Sequence, residues 1–193
     1  MRARINKYIE SASNSFNSLL TNEVLKDSIY KATNKCIEAF KSNKKVHFCG
    51  NGGSASDAQH IAAELSGRFY KDRPPLNAEA LHVNSSFMTA VANDYGFKET
   101  YARMIEASSK KGDVLIAIST SGNSENIINA IKKAKEMGVY TIGFTGKNGG
   151  QLRGLCDLTL HSTNDDTPRI QESHILFGHI ICQIIEEEIF PNA

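Results

Sequence analysis

The chain changes character at Lys45-Val46-His47-Phe48-Cys49-Gly50-Asn51-Gly52-Gly53-Ser54-Ala55. A short run rich in β-branched and aromatic residues reads as a strand and stops at a cluster of glycines. An Ala-rich helical pattern follows at once, from Ser54 to Gly67. Glycines here allow a tight turn, and Ser54 is a suitable helix start. The alternation continues to the C-terminus. Strands are expected over Glu79–Val83, Asp113–Ser119, Val139–Thr145 and Leu158–His161, and helices over Ser85–Asp94, Glu99–Ser108, Asn123–Met137 and Pro168–Phe190. Strands alternating with helices of ten or more residues imply an α/β fold. The expected form is a three-layer sandwich whose mostly parallel five-stranded sheet is flanked by helices.

Before this unit, Ile5, Ile9, Phe16 and Leu19-Leu20 recur at helical spacing. Val24-Leu25, Ile29, Ala32, Cys36-Ile37 and Phe40 do the same after Thr21-Asn22. Residues 1–43 therefore read as a helical N-terminal extension and 44–193 as the α/β core of a single domain without internal repeats. Two amphipathic helices ahead of a complete α/β unit must cover apolar surface, either on their own domain or on a neighbouring subunit. The final helix carries Ile175-Leu176-Phe177 and Ile180-Ile181 on more than one side. Contacts between copies of the chain are the favoured account.

Composition narrows the class. The chain has 193 residues, 40% of them apolar, which suits one domain with a core of its own. Its 22 basic residues against 21 acidic argue against a general electrostatic grip on nucleic acid or an anionic membrane. No apolar run reaches the roughly 18 residues of a spanning helix, and the polar start lacks a signal-peptide pattern. A cytoplasmic protein is expected. Cys36, Cys49, Cys156 and Cys182 are scattered without ligand or redox spacing, and read as buried reduced thiols.

In an open parallel sheet, ligands bind beyond the carboxyl ends of the strands, near the reversal of strand order. Two loops occupy such positions: Gly50-Asn51-Gly52-Gly53-Ser54-Ala55 and Ser119-Thr120-Ser121-Gly122-Asn123-Ser124. Each precedes a helix, whose start offers free N–H groups and a partial positive charge. Four hydroxyls in the second loop, with no carboxylate before Glu125, suit a phosphate monoester. Such residues are also ordinary in βα turns, and it is the recurrence in two loops that points to function. Gly50-x-Gly52-x-x-Ala55 formally matches a dinucleotide fingerprint, but the second strand ends His82-Val83-Asn84 without the acid a ribose needs. The stretch Gly143-Phe144-Thr145-Gly146-Lys147 is too short for a nucleotide P-loop. A small phosphorylated metabolite is the better ligand.

His60 and Glu64 lie four apart on the helix after the first loop, so they share a face. Such a pair can bind a metal or act as acid and base, although a solvated pair is the commoner meaning. Arg169-Ile170-Gln171-Glu172-Ser173-His174 and His179 interrupt an otherwise apolar helix, where polar groups cost stability unless paired or used. His47, His82 and His161 read as structural.

The chain resembles the sugar isomerase (SIS) domain proteins, and within them the sedoheptulose 7-phosphate isomerases. The resemblance is nearly end to end. It is carried by Cys49 through Ala55, by Asp57-Ala58-Gln59-His60 with Ala63-Glu64-Leu65 and Gly67-Arg68, and by Ala92-Asn93-Asp94-Tyr95-Gly96-Phe97. It is carried further by Ile118 through Ser124 and by Arg169-Ile170-Gln171-Glu172 with His174 and His179. The resemblance implies the SIS fold and an aldose–ketose isomerase that makes D-glycero-D-manno-heptose 7-phosphate, the first step towards activated heptose for lipopolysaccharide or related glycans. It implies a cytoplasmic homotetramer with active sites at subunit interfaces and one zinc per subunit, held by His60, Glu64, Gln171 and His179. Phosphate would rest on Ser119, Thr120, Ser121 and Ser124. Asn51, Gly52, Gly53, Ser54, Asn93 and Asp94 would meet the sugar, together with Glu64 and Gln171 and with Arg68 nearby. Glu64 would be the base and His179 the proton shuttle.

Gln171 and His179 are eight apart, about 12 Å of rise and about 80° of rotation on a straight helix. One of the two is therefore expected from a neighbouring subunit. Two other readings remain. Some relatives are tetrameric adaptors that bind a replication-initiation protein; they lack counterparts of Glu64 and His179, and this chain has both. An isomerase of another sugar phosphate would keep the chemistry and change the substrate.

Overall fold

The computed structural model describes all 193 residues. Five strands, β1 (Val46–Gly50), β2 (Ala78–Ala80), β3 (Val114–Ser119), β4 (Tyr140–Thr145) and β5 (Leu158–His161), form one sheet in the order β2-β1-β3-β4-β5. Every pair is parallel. Two helices precede the sheet, α1 (Arg2–Leu20) and α2 (Glu23–Lys41). The rest connect its strands or follow them: α3 (Gly53–Ser66), α4 (Ser85–Tyr95), α5 (Thr100–Ser108), α6 (Glu125–Glu136), α7 (Leu152–Leu155) and α8 (Thr167–Ile189).

Strand residues divide between two apolar layers as the pleat dictates. Val114, Ile116 and Ile118 of β3 join a core with residues of α2, α3 and α8. Leu115 and Ala117 join a second core with α5, α6 and Leu152 of α7. With both faces covered, all of β3 is buried, as in parallel sheets generally. The expected α/β sandwich is therefore observed.

Boundaries follow local chemistry. Asn22 caps α2 and Asn84 caps α4, each side chain accepting a backbone N–H at 3.0 Å. Pro168 sits in the first turn of α8, where its missing N–H costs nothing. The strand expected over Glu79–Val83 is shorter and earlier: the Leu81 N–H still reaches the Phe48 carbonyl, and a turn then begins. The helical turn at Phe97–Glu99 and the four residues of α7 were not expected, because neither is long enough to show a period.

The register positions the site. Gly50 pairs with Ile118, so the loops after β1 and β3 leave the sheet side by side. With β2 beyond β1 on one side and β4 beyond β3 on the other, this is where the strand order reverses.

Candidate active site

The β1 loop approaches its surroundings closely. Gly52, at φ +54°, is the N-cap of α3 and leaves the helix start without a side-chain cap. A side chain on Gly53 would collide with the Gln171 amide. The buried Tyr101 hydroxyl donates to the Gly50 carbonyl and anchors the end of β1. The loop is tied to its neighbour through Asn51, whose amide exchanges two hydrogen bonds with that of buried Asn126, at 2.8 and 2.9 Å.

The β3 loop turns at Gly122, whose φ of +66° and contact with the Gly149 carbonyl leave no space for a Cβ. Ser119 and Ser124 hydroxyls meet at 3.1 Å, and Ser121 Oγ accepts the Asn123 N–H at 3.2 Å. Ser124 is the N-cap of α6 but does not cap it through its side chain. The first N–H groups of α6 thus stay available beside hydroxyls, an arrangement suited to an anion. Thr120 and Ser121 also line a cavity of about 180 Å³ shared with Gly146, Lys147 and Ile170.

A third group of side chains gathers where α3 meets α8. The two helices pack in parallel: Gly53 lies against Gln171, and Gly178 against Ile61. This brings His179 to the His60–Glu64 face of α3. His60 Nε2 is 3.0 Å from His179 Nε2 and 3.2 Å from Glu64 Oε1. One ligand atom from each of the three lies within 4.8 Å of the others. Two imidazole nitrogens and a carboxylate oxygen aimed at one point are a donor set suited to a divalent metal such as zinc. Partial exposure keeps the group accessible, with His60 at 49% and Glu64 at 23% of their side-chain surface.

Residues 7–146 match the SIS domain family. Phosphoheptose isomerase from Aneurinibacillus thermoaerophilus is 46% identical over 192 residues, 100% of this chain and 97% of that protein. The one from Nitratiruptor sp. is 55% identical over 165 residues, 86% of this chain and 88% of that protein. The chain belongs to the phosphoheptose isomerase family. Among solved structures of that family, the one from Francisella tularensis superposes with a TM-score of 0.92 at 35% identity, covering 96% of this chain and 97% of that one. The Neisseria gonorrhoeae protein gives 0.90 at 35% identity, covering 96% and 98%.

Within this phosphoheptose isomerase frame, three of the four expected metal ligands meet in a single chain. Gln171 does not join them; it lies two turns up α8, against Gly53, as the helix spacing requires. Asn93 and Asp94, at the end of α4, are exposed and hydrogen-bond each other at 2.8 Å. Arg68 is exposed. The histidines read as structural stand apart from the cluster. His161 is held by Thr145 and Thr159 hydroxyls at 2.8 and 2.9 Å, and burial lowers its pKa. His47 is buried and His82 half-buried. Asn126 and Tyr101 were missed. One looks like an ordinary first-turn residue and the other like ordinary core, and only folding brings them to Asn51 and Gly50.

Proposed function

We propose that this protein isomerises sedoheptulose 7-phosphate to D-glycero-D-manno-heptose 7-phosphate through an enediol. The observation that carries the reading is the convergence of His60, Glu64 and His179 where α3 meets α8, two helices whose N-terminal ends lie at the loops of the sheet's switch point. The relatives' shared name, over the full length of this chain, supports it.

In this reading the phosphate accepts hydrogen bonds from Ser119, Thr120, Ser121 and Ser124 and from the N-terminus of α6. Asn51, Gly52, Gly53 and Ser54 face the sugar, with Gln171 on α8 beside them. Asn93 and Asp94 complete the sugar contacts from α4, across a subunit boundary of a homotetramer. The apolar side chains that α1 and α2 leave exposed, among them Ile9, Phe16, Leu20 and Tyr30, support such an assembly. Glu64 removes a proton from C1 and returns it to C2 on the same face. His179 takes the proton from the C1 hydroxyl and delivers one to the C2 oxygen, so charge does not build up on either. His60 lies against both groups and orients them.

His60, Glu64 and His179 would hold one zinc ion per subunit, joined by a Gln171 only from a neighbouring subunit, since that of the same chain lies two turns away along α8. When bound, the ion would supply Lewis acidity. The aldoheptose phosphate would feed activated heptose synthesis for lipopolysaccharide or related glycans in the cytoplasm. No helix is long and apolar enough to cross a membrane.

NMR of sedoheptulose 7-phosphate with the protein in heavy water tests this directly. The expected product is the aldoheptose phosphate with solvent deuterium at C2, lost in Glu64→Gln and lost on strong chelation. Absence of product from metal-replete protein overturns the reading and brings the other sugar phosphates and the adaptor role forward.

A further inference from the structure

The α3–α8 contact carries a second set of polar groups, deeper than the cluster. Arg73 and Glu186 form an ion pair at 2.9 Å whose side chains are 0% and 2% exposed. Arg73 covers the end of α3. Its guanidinium donates to the carbonyls of Glu64 at 2.8 Å and Leu65 at 2.7 Å, and more weakly to Gly67 and Pro74 at 3.3 Å each. Glu186 Oε1 accepts the N–H groups of Tyr70 and Lys71 at 2.9 and 2.8 Å, while Oε2 accepts from Arg73. A cation at a helix C-terminus with its fork filled by carbonyls is favourable in charge and in geometry.

We propose that Arg73 and Glu186 are positioning residues: a buried clasp that sets how α3 and α8 lie against each other and thereby holds Glu64 and His179 in reacting geometry. The link is short on both sides. Arg73 bonds the backbone carbonyl of Glu64 itself, and Glu186 lies seven residues beyond His179, on the same face of α8. Burial raises the Glu186 carboxyl, but the Lys71 and Tyr70 N–H groups and Arg73 outweigh it and hold its pKa below the ordinary value. The clasp is therefore charged at neutral pH. A buried ion pair is seldom the most stabilising choice, since apolar replacement of both partners is often neutral or better. Its position against the two helices that carry the cluster is what specificity of placement would require. The catalytic part of this inference rests on the isomerase reading, whereas the geometric part does not.

The double variant Arg73→Met, Glu186→Leu in the full chain separates the two roles. Thermal unfolding establishes that it folds. The side-chain nitrogen resonances of His60 and His179, read by NMR without metal or substrate, are expected to shift from their wild-type positions. With metal-replete protein and sedoheptulose 7-phosphate, kcat is expected to fall roughly ten- to a hundredfold, the scale of a misplacement of about 1 Å. KM is expected to hold within about twofold, because the phosphate loop is built on β3 and α6. Unchanged resonances with unchanged kcat would overturn the clasp and leave the pair a purely structural feature. Should the double variant not fold, Arg73→Lys is read the same way, since it keeps the charge but lacks the planar fork that reaches the Glu64 and Leu65 carbonyls and the Glu186 carboxylate at once. If wild type yields no aldoheptose phosphate, the isomerase reading fails, and the imidazole resonances still decide the clasp.

Discussion

His174 lies on the same helix as His179 and has the opposite character. Its ring packs with those of Phe144 and Phe177, centroids 5.9 and 6.2 Å away, and it is fully buried. Burial pushes its pKa down to about 4. Burial, helped by Lys45, does the same to His47, also to about 4. In the unfolded chain each titrates near 6.5. Between those values only the unfolded state binds the proton, so stability is full above about pH 6.5 and falls as pH drops towards 4. Each group contributes a slope of about 1.4 kcal/mol per pH unit. Urea unfolding of chelated protein from pH 4.5 to 7 is expected to show the slope of His174→Leu reduced by that amount. An unaltered slope would mean that His174 is charged in the folded chain. His60 and His179 sit in the open cluster instead, which is why two histidines of one helix divide between core and chemistry.

At the scale of the element, α3 and α8 decide the site. They approach closely at Gly178, where an added Cβ would press into the Ile61 side chain. The neighbouring Cys182 packs at the same crossing, its Sγ 3.9 Å from the Ile61 carbonyl. Gly178→Ala is expected to cost about 1–3 kcal/mol through overpacking, read from denaturant midpoints. It is also expected to weaken metal binding at the proposed zinc site, since His179 is the next residue; unchanged stability and unchanged affinity for added zinc would show that the helices can part there freely. The periods of both helices, and the polar residues interrupting α8, were legible in the sequence. Their pairing was not, because the residues are far apart in the chain and a helical pattern shows which face is apolar but not which helix it meets.

In the whole molecule, α1 shows the most apolar surface left uncovered: only Ser15 and Leu19 of its 19 residues are buried. Beside it, Tyr30 is 65% exposed at a groove that α2 forms with Ile180 and Ile184 of α8. A charge there costs little in a single chain and much in a covered interface. If the protein assembles through this face, Tyr30→Asp is expected to fold normally and to elute as a smaller species than the proposed tetramer in light scattering. An unaltered mass would move the interface elsewhere.

The alternation of strand and helix and the two loops that end β1 and β3 were determined by the sequence alone. So were the pairing of His60 with Glu64 and the burial of Cys36, Cys49 and Cys182, whereas Cys156, expected to be buried too, is only half-buried. These are local matters, governed by period, turn chemistry and hydropathy within about a dozen residues. The tertiary structure decided the meeting of His179 with His60, the Asn51–Asn126 bridge between loops, the Tyr101 anchor and the Arg73–Glu186 clasp. Each joins side chains that nothing local ties together. Their encounter depends on strand order and helix packing, which are set by the whole core at once.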